Sequence, residues 1–99
     1  MRVIVREAAY GDLDRIHEWI TKDRPRSADA VIDRILESAE RLGRFPHMGH
    51  VGRALGTYEW VVPGLPYILV YEVHVADDLV VVTAVFHGAQ NRERGEGEA

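Results

Sequence analysis

The chain contains no cysteine among its 99 residues, which excludes a disulfide framework. It has no basic and apolar N-terminal segment of the kind that directs secretion, and no apolar run long enough to cross a bilayer. Together these absences predict a soluble cytoplasmic protein that makes no contact with a membrane.

An excess of basic residues is also missing, because the formal net charge is −4. Proteins that bind nucleic acids usually carry surplus Lys and Arg to displace counterions from the phosphates, so no direct nucleic-acid binding is expected. The exception is local. Residues 41–58 include no acidic residue but do contain several basic ones: Arg41, Arg44, His47, His50 and Arg53. The sequence therefore predicts a basic loop within residues 41–58 on a protein that is acidic overall.

Two stretches in the first half of the chain have helical periodicity. Apolar residues recur at Ala9, Leu13, Ile16 and Ile20, and a second apolar stripe runs through residues 28–42. Asp23 is a candidate N-cap for the second helix, and Gly43 is a natural residue to end it. The connection is only a few residues long, which predicts an antiparallel helical hairpin.

The second half alternates in the manner of strands. Extended runs at 57–62, 67–75 and 79–86 are separated by turn residues, and residues 2–6 form a further short run. The run of valines at 80–82 is typical of a well-covered strand. The predicted fold class is α+β, in the order β-α-α-β-β-β, with the helical hairpin packed on a small, curved, mainly antiparallel sheet.

A single domain is predicted over residues 1–90, because nothing in the composition marks a second core. Residues 91–99 consist mainly of Gly, Glu and Arg and lack the apolar side chains needed to dock. They are therefore predicted to be a disordered tail.

Several motifs in combination resemble the RelE/ParE superfamily of bacterial toxins. They are the two helices, the loop RFPHMGHVGR at 44–53, the strand GLPYILVY at 64–71 and the ending FHGAQ at 86–90. The resemblance covers nearly the whole chain. It implies the toxin of a type II toxin–antitoxin pair, neutralised by a small ParD-like antitoxin whose C-terminal segment wraps around it.

The superfamily includes ribosome-dependent messenger RNA endoribonucleases, which need cationic side chains and an acid or base on the concave face of the sheet. Arg53 matches the family's loop arginine, and His87 lies where some ribonuclease members place a catalytic histidine. If the chain is a ribonuclease, these two residues are the catalytic candidates. However, Glu72 stands where such enzymes often have an arginine, and no tyrosine follows Tyr71.

These departures fit the ParE branch better, whose members are known for poisoning DNA gyrase without a catalytic set. The resemblance therefore implies a non-catalytic inhibitor of DNA gyrase. A toxin with another target, or a degenerate relative that only binds its antitoxin, stays open as an alternative. Exposed candidates for contact with the target are Arg53, Tyr58, Trp60, His87, Gln90, Arg92 and Arg94.

Large aromatic residues dominate interface energetics, so Tyr10 and Trp19 on the first helix are candidates for binding the antitoxin. Two interpretations of Trp19 stay open, since it lies at the border of the apolar stripe and could pack at the core margin or contact a partner. Trp60 likewise could pack against the helices.

The five histidines do not form a recognisable metal motif, and neither a metal nor a cofactor is predicted. For His87 the structural alternative is a strand-end histidine whose ring hydrogen-bonds to the loop backbone. For Arg53 it is a loop arginine that holds turn carbonyls in place. The acidic residues Asp12, Asp14 and Glu18 are interpreted as a solvated helix face.

Overall fold

The computed structural model describes residues 1–89. Their elements follow one another as β1 (Arg2–Val5), α1 (Glu7–Asp23), α2 (Ala28–Leu42), β2 (His50–Val51), β3 (Tyr58–Val61), β4 (Tyr67–His74) and β5 (Leu79–His87). A short 3₁₀ turn, Val75–Asp77, links the last two strands. The predicted α+β class and the helical hairpin are confirmed.

The strands form one sheet in the order β1-β5-β4-β3-β2. β1 runs parallel to β5 and places Val3 opposite Val80, while every other neighbouring pair is antiparallel. β2 was not predicted, because two residues are too few to show an alternating pattern. The predicted cover of residues 80–82 is confirmed, since none of the three valines is more than 7% exposed.

Both helices pack on one face of this sheet and enclose the core. The helices contribute small and branched side chains, and the sheet contributes aliphatic and aromatic ones. The buried members include Ala9, Leu13, Ile35, Ala39, Leu42, Leu69, Tyr71, Val80, Val82 and Val85. The opposite face of the sheet carries neither α1 nor α2 and is called the open face below.

The ends of the helices differ from the sequence predictions. Asp23 does not cap α2, because α1 continues through it and Ser27 precedes the first residue of α2. Gly43 ends α2 with a right-handed φ of −64°, so its role is not to supply a left-handed turn. A Cβ on Gly43 would lie 2.5 Å from the Met1 carbonyl oxygen, and the Met1 ammonium donates to the Gly43 carbonyl at 2.8 Å. Glycine is therefore required because the N-terminus passes close by.

Candidate functional site

A β-bulge in β5 determines which side chains face the helices and which face the open side. Val70 is opposite Ala84 and Tyr71 is opposite Val82, so Thr83 is an extra residue without an opposing partner. Its hydroxyl donates to the Val70 carbonyl at 3.3 Å. Because side chains alternate along a strand, the bulge changes which residue numbers face the helices: they are Val80 and Val82 before it, and Val85 and His87 after it.

His87 is turned towards the helix-covered face by this bulge. It is opposite Tyr67, a member of the core, and the two rings meet edge to face with centroids 5.5 Å apart. The backbone N–H of Ala89 donates to His87 Nδ1 at 3.1 Å. This is the hydrogen bond between ring and loop backbone that the structural interpretation predicted for His87.

The open face has an apolar floor. Ile68 is opposite Phe86 on one side and Val61 on the other, while Val81 is opposite Ile4 and Glu72. Ile68, Val81 and Phe86 are each less than a tenth exposed. The polar groups lie around this floor, and two of them are carboxylates.

Glu72 is the carboxylate on the central strand. One of its oxygens, Oε1, accepts hydrogen bonds from His74 Nε2 at 2.8 Å and from Arg6 Nη2 at 3.3 Å. Such contacts tie the ends of β1 and β4 together across β5. The carboxylate of Glu72, paired with Arg6 and His74, therefore occupies the position where the resemblance to ribonucleases predicts an arginine.

Glu59 is the second carboxylate, and its side chain is only 7% exposed. Oε2 accepts the backbone N–H of Arg53 at 3.2 Å, and Oε1 lies 3.8 Å from His50 Nε2. The residue thus fixes the turn that follows β2. No pattern in the sequence indicates this role, since an isolated glutamate in a strand is normally a solvated residue.

Arg53 and His87 do not form a catalytic pair. Arg53 follows β2 at one edge of the sheet, whereas His87 ends β5, three strands away. At roughly 4.8 Å per strand, their backbones are separated by about 14 Å across the sheet. Gln90, Arg92 and Arg94, the remaining C-terminal candidates, lie outside the described residues, as does the predicted tail.

Tyr58 and Trp60 lie on the helix-covered face, where they are half-buried rather than exposed as expected for target contacts. The Trp60 indole N–H donates to the Ser38 hydroxyl of α2 at 3.1 Å. Tyr58 stacks on Tyr71 with centroids 5.6 Å apart and meets the edge of His47 at 5.8 Å. Of the two interpretations of Trp60, packing against the helices is the one observed.

Tyr71 holds the loop that joins α2 to β2, a role that the sequence analysis missed. Its side chain is fully buried, its hydroxyl donates to the Pro46 carbonyl at 2.8 Å, and it accepts the Gly49 N–H at 3.0 Å. A Cβ on Gly49 would lie 2.6 Å from that hydroxyl. Burial raises the pKa of Tyr71 above its ordinary value, partly offset by the hydrogen bond from Gly49, and burial raises the pKa of Tyr67 as well.

Tyr10 and Trp19 are both exposed on α1, Trp19 by 71%. The core-margin interpretation of Trp19 is therefore wrong. The two residues are nine positions apart, which is two and a half turns of about 3.6 residues, so they project from opposite sides of the helix. A partner that contacts both must pass around α1.

Asp12 is not part of a solvated helix face, contrary to the interpretation from sequence. Its Oδ2 accepts the backbone N–H of Val85 at 2.9 Å, and its Oδ1 pairs with Arg15. Asp14 and Glu18 are exposed as expected.

Within residues 1–89, no three or more His, Asp or Glu side chains converge in an arrangement that could hold a metal ion. The same part of the chain has no helix that is both long and apolar enough to span a membrane.

Solved structures with the same architecture come from toxin–antitoxin systems. The chromosomal ParDE system of P. aeruginosa contains a chain that superposes with a TM-score of 0.78 at 17% identity, covering 88% of this chain and 95% of that one. A chain of the RelBE2 toxin–antitoxin complex from Mycobacterium tuberculosis gives 0.66 at 26% identity, with 87% and 95% covered. The fold is that of the RelE/ParE superfamily.

Sequence comparison identifies the family. Residues 3–92 match the family described as ParE toxin of type II toxin–antitoxin system, parDE, so the chain belongs to this family. The Y4kP protein of Sinorhizobium fredii is 36% identical over 78 residues, which is 79% of this chain and 78% of that protein. Toxin RelE2 of Caulobacter vibrioides is 32% identical over 82 residues, covering 83% and 89%. The resemblance stated from the motifs is confirmed.

Proposed function

We propose that this type II toxin inhibits DNA gyrase without catalysing a reaction, and that a cognate antitoxin neutralises it. The observation that carries the proposal is the composition of the open face. Two carboxylates, Glu59 and Glu72, lie on that face, and His87 is turned away from it.

Cleavage of a phosphodiester by the ribonuclease route places extra negative charge on the phosphate in the transition state. Cationic side chains stabilise that charge, and a nearby carboxylate opposes it. An acid or base must also come within hydrogen-bond reach of the reacting oxygen. Glu72 engages the Arg6 guanidinium and His74, so these groups already face a carboxylate, and Arg53 is distant from His87. Both observations argue against the ribonuclease route, whereas an inhibitor that works by binding a protein has neither requirement.

The proposed antitoxin is a small ParD-like protein whose C-terminal segment wraps around the toxin. The solved relatives from P. aeruginosa and M. tuberculosis are toxin–antitoxin assemblies, which supports such a partner. Tyr10 and Trp19 are exposed on opposite sides of α1 and offer it two separate anchors. A wrapping segment can reach both, while a single straight helix cannot.

The test is controlled expression of the toxin without its antitoxin in a bacterial host, with DNA and protein synthesis pulse-labelled separately in the first minutes. DNA synthesis should fall first, and purified toxin should inhibit supercoiling of relaxed plasmid by gyrase. Arg53→Ala and His87→Ala test the ribonuclease alternative in the same assay.

An earlier fall in protein synthesis that both substitutions abolish would replace the proposal with ribosome-dependent cleavage of messenger RNA. Unimpaired growth with soluble, folded toxin would indicate a degenerate toxin that only binds its antitoxin.

A further inference from the structure

Exposed apolar side chains are concentrated in the loop of residues 44–56, between α2 and β3. Eight large apolar or aromatic side chains are exposed in the described part of the chain, and three of them, Phe45, Val51 and Leu55, fall within this loop. Leu55 has a relative accessibility of 104%, so no other part of the described chain covers it. A single exposed leucine needs no explanation, but three exposed apolar side chains within eleven residues indicate an interaction site.

The turn that presents Leu55 is held in one conformation. The Thr57 N–H and hydroxyl both donate to the Ala54 carbonyl, at 3.1 and 2.7 Å, and the Gly52 N–H donates to the Thr57 carbonyl at 2.8 Å. Gly56 supplies the left-handed residue of the turn, with a φ of +80°. Because the turn is already ordered, little conformational entropy is lost when it binds a partner.

The rest of the loop is equally fixed. The buried hydroxyl of Tyr71 joins Pro46 to Gly49, and Glu59 accepts the Arg53 N–H. Val51 is opposite Tyr58 and therefore shares a face with it, next to His47. The loop is thus held to the edge of the sheet at several points and carries its exposed apolar side chains from there.

The charge of this surface differs in sign from that of the whole molecule. Residues 41–58 contain three arginines and no acidic residue, although the net charge of the chain is −4. Arg41, Arg44 and Arg53 are all exposed. A complementary partner surface is therefore acidic and contains an apolar pocket.

We propose that the 44–56 loop is the surface with which this toxin binds its protein target, with Leu55 inserted in an apolar pocket and the arginines facing acidic residues around it. This inference rests on the proposed function only in assuming a protein target. A nucleic acid would match the arginines, but it would leave Phe45, Val51 and Leu55 exposed to water.

The experiment compares two equivalent substitutions in full-length toxin. Leu55→Asp places a carboxylate at the tip of the loop, and the matched control Val75→Asp does the same at the exposed turn between β4 and β5. The toxin concentration for half-inhibition of purified gyrase on relaxed plasmid should rise by about tenfold or more for Leu55→Asp, since central apolar anchors carry most of the binding energy. It should stay within about twofold for Val75→Asp, as substitutions outside an interface have little effect.

A second pair of substitutions tests the charge. Arg44→Glu should weaken inhibition and reduce its dependence on salt, whereas Arg26→Glu, at an exposed position between the helices, should not. Melting curves by circular dichroism verify that each variant folds, and Leu55→Ser replaces Leu55→Asp if the aspartate variant does not.

A folded Leu55→Asp variant that inhibits gyrase as well as wild type would overturn the inference and leave the proposed function intact. If wild-type toxin does not inhibit gyrase, the proposed function fails and growth inhibition becomes the readout. Relief of that inhibition by Leu55→Asp but not by Val75→Asp would support the loop, and no relief would overturn it. Binding of an RNA or DNA oligonucleotide that Arg44→Glu abolishes and Leu55→Asp preserves would also overturn it.

Discussion

At the scale of single residues, Tyr71 combines two roles in one side chain. Its ring is part of the core, stacked on Tyr58, and its hydroxyl hydrogen-bonds to the loop that carries Leu55. A buried hydroxyl normally needs such partners, because an unsatisfied polar group in the interior is costly. The core and the loop are therefore energetically linked through one oxygen atom.

Substitution Tyr71→Phe should destabilise the fold by about 1–3 kcal/mol, because it leaves the Gly49 N–H and the Pro46 carbonyl without their partner. Urea denaturation gives the free energy of unfolding. Tyr10→Phe removes an exposed hydroxyl and is the matched control, for which we expect a change within about 0.5 kcal/mol. Equal effects of the two substitutions would contradict the role assigned to Tyr71.

The raised pKa values of Tyr67 and Tyr71 predict a loss of stability at alkaline pH. Below the ordinary tyrosine pKa of 10.0, both residues keep their protons in the folded and unfolded chains, and they add no pH dependence. As the pH rises above that value, the unfolded chain releases these protons first, so the free energy of unfolding falls. The slope between about pH 9 and 11 should be shallower for Tyr71→Phe than for wild type. Identical slopes would count against this linkage.

Trp19 and His87 show what a sequence pattern does not reveal about single residues. The apolar stripe of α1 predicts the direction in which Trp19 projects from the helix axis. It does not predict whether the sheet extends far enough to cover that side chain, and Trp19 is in fact exposed. His87 was placed correctly at the end of a strand, but its face depends on the register of β4 and β5, which residue alternation alone does not fix.

At the scale of elements, β5 extends beyond the end of β1. The last hydrogen bond between them joins the Arg6 N–H to the Val82 carbonyl at 3.0 Å. Further along β5, Asp12 of α1 takes the place of a strand partner and accepts the Val85 N–H. The helix is thus attached to the sheet by a charged hydrogen bond as well as by apolar packing.

Removal of this bond by Asp12→Ala should destabilise the fold by about 1.5–3 kcal/mol, the range for hydrogen bonds to charged groups. Asp14→Ala, an exposed neighbour on the same helix, should change the stability by less than about 0.5 kcal/mol. Thermal or urea unfolding of the two variants provides the comparison. If both behave alike, the contact between Asp12 and Val85 contributes nothing measurable.

Elements with strong periodicity were predicted well, including both helices and the three strands of the meander. β2 was missed because its two residues are stabilised by pairing with β3 rather than by their own pattern. The parallel pairing of β1 with β5 joins segments more than seventy residues apart, and no local signal encodes it. The prediction that Asp23 caps α2 was wrong for a related reason. The sequence indicates that the connection between the helices is short, but not at which residue α1 ends.

At the scale of the whole molecule, the fold is a small one with a single helix-covered core, and a partner that binds only the folded state should stabilise it by mass action. With free antitoxin at 100 times its dissociation constant, the gain is about 2.7 kcal/mol. For a domain of this size, that corresponds to a rise of about 10–20 °C in Tm. Scanning calorimetry of the toxin with and without excess antitoxin measures the difference.

An antitoxin lacking its C-terminal segment is the control and should leave the Tm of the toxin nearly unchanged. Equal melting temperatures for free toxin and for the complex with intact antitoxin would argue against a tight, wrapping partner.

The extra residue at Thr83 has a consequence for how such a fold tolerates a change in length. Point substitutions alter what a position carries, but they leave the side of the sheet to which it belongs unchanged. Loss of Thr83 itself would leave the faces unchanged as well, because Ala84 would then follow Val82 directly and stay opposite Val70, so that Val85 and His87 would still face the helices. The strand therefore carries one residue more than its register needs, and a single-codon deletion at this point should preserve both surfaces of the sheet.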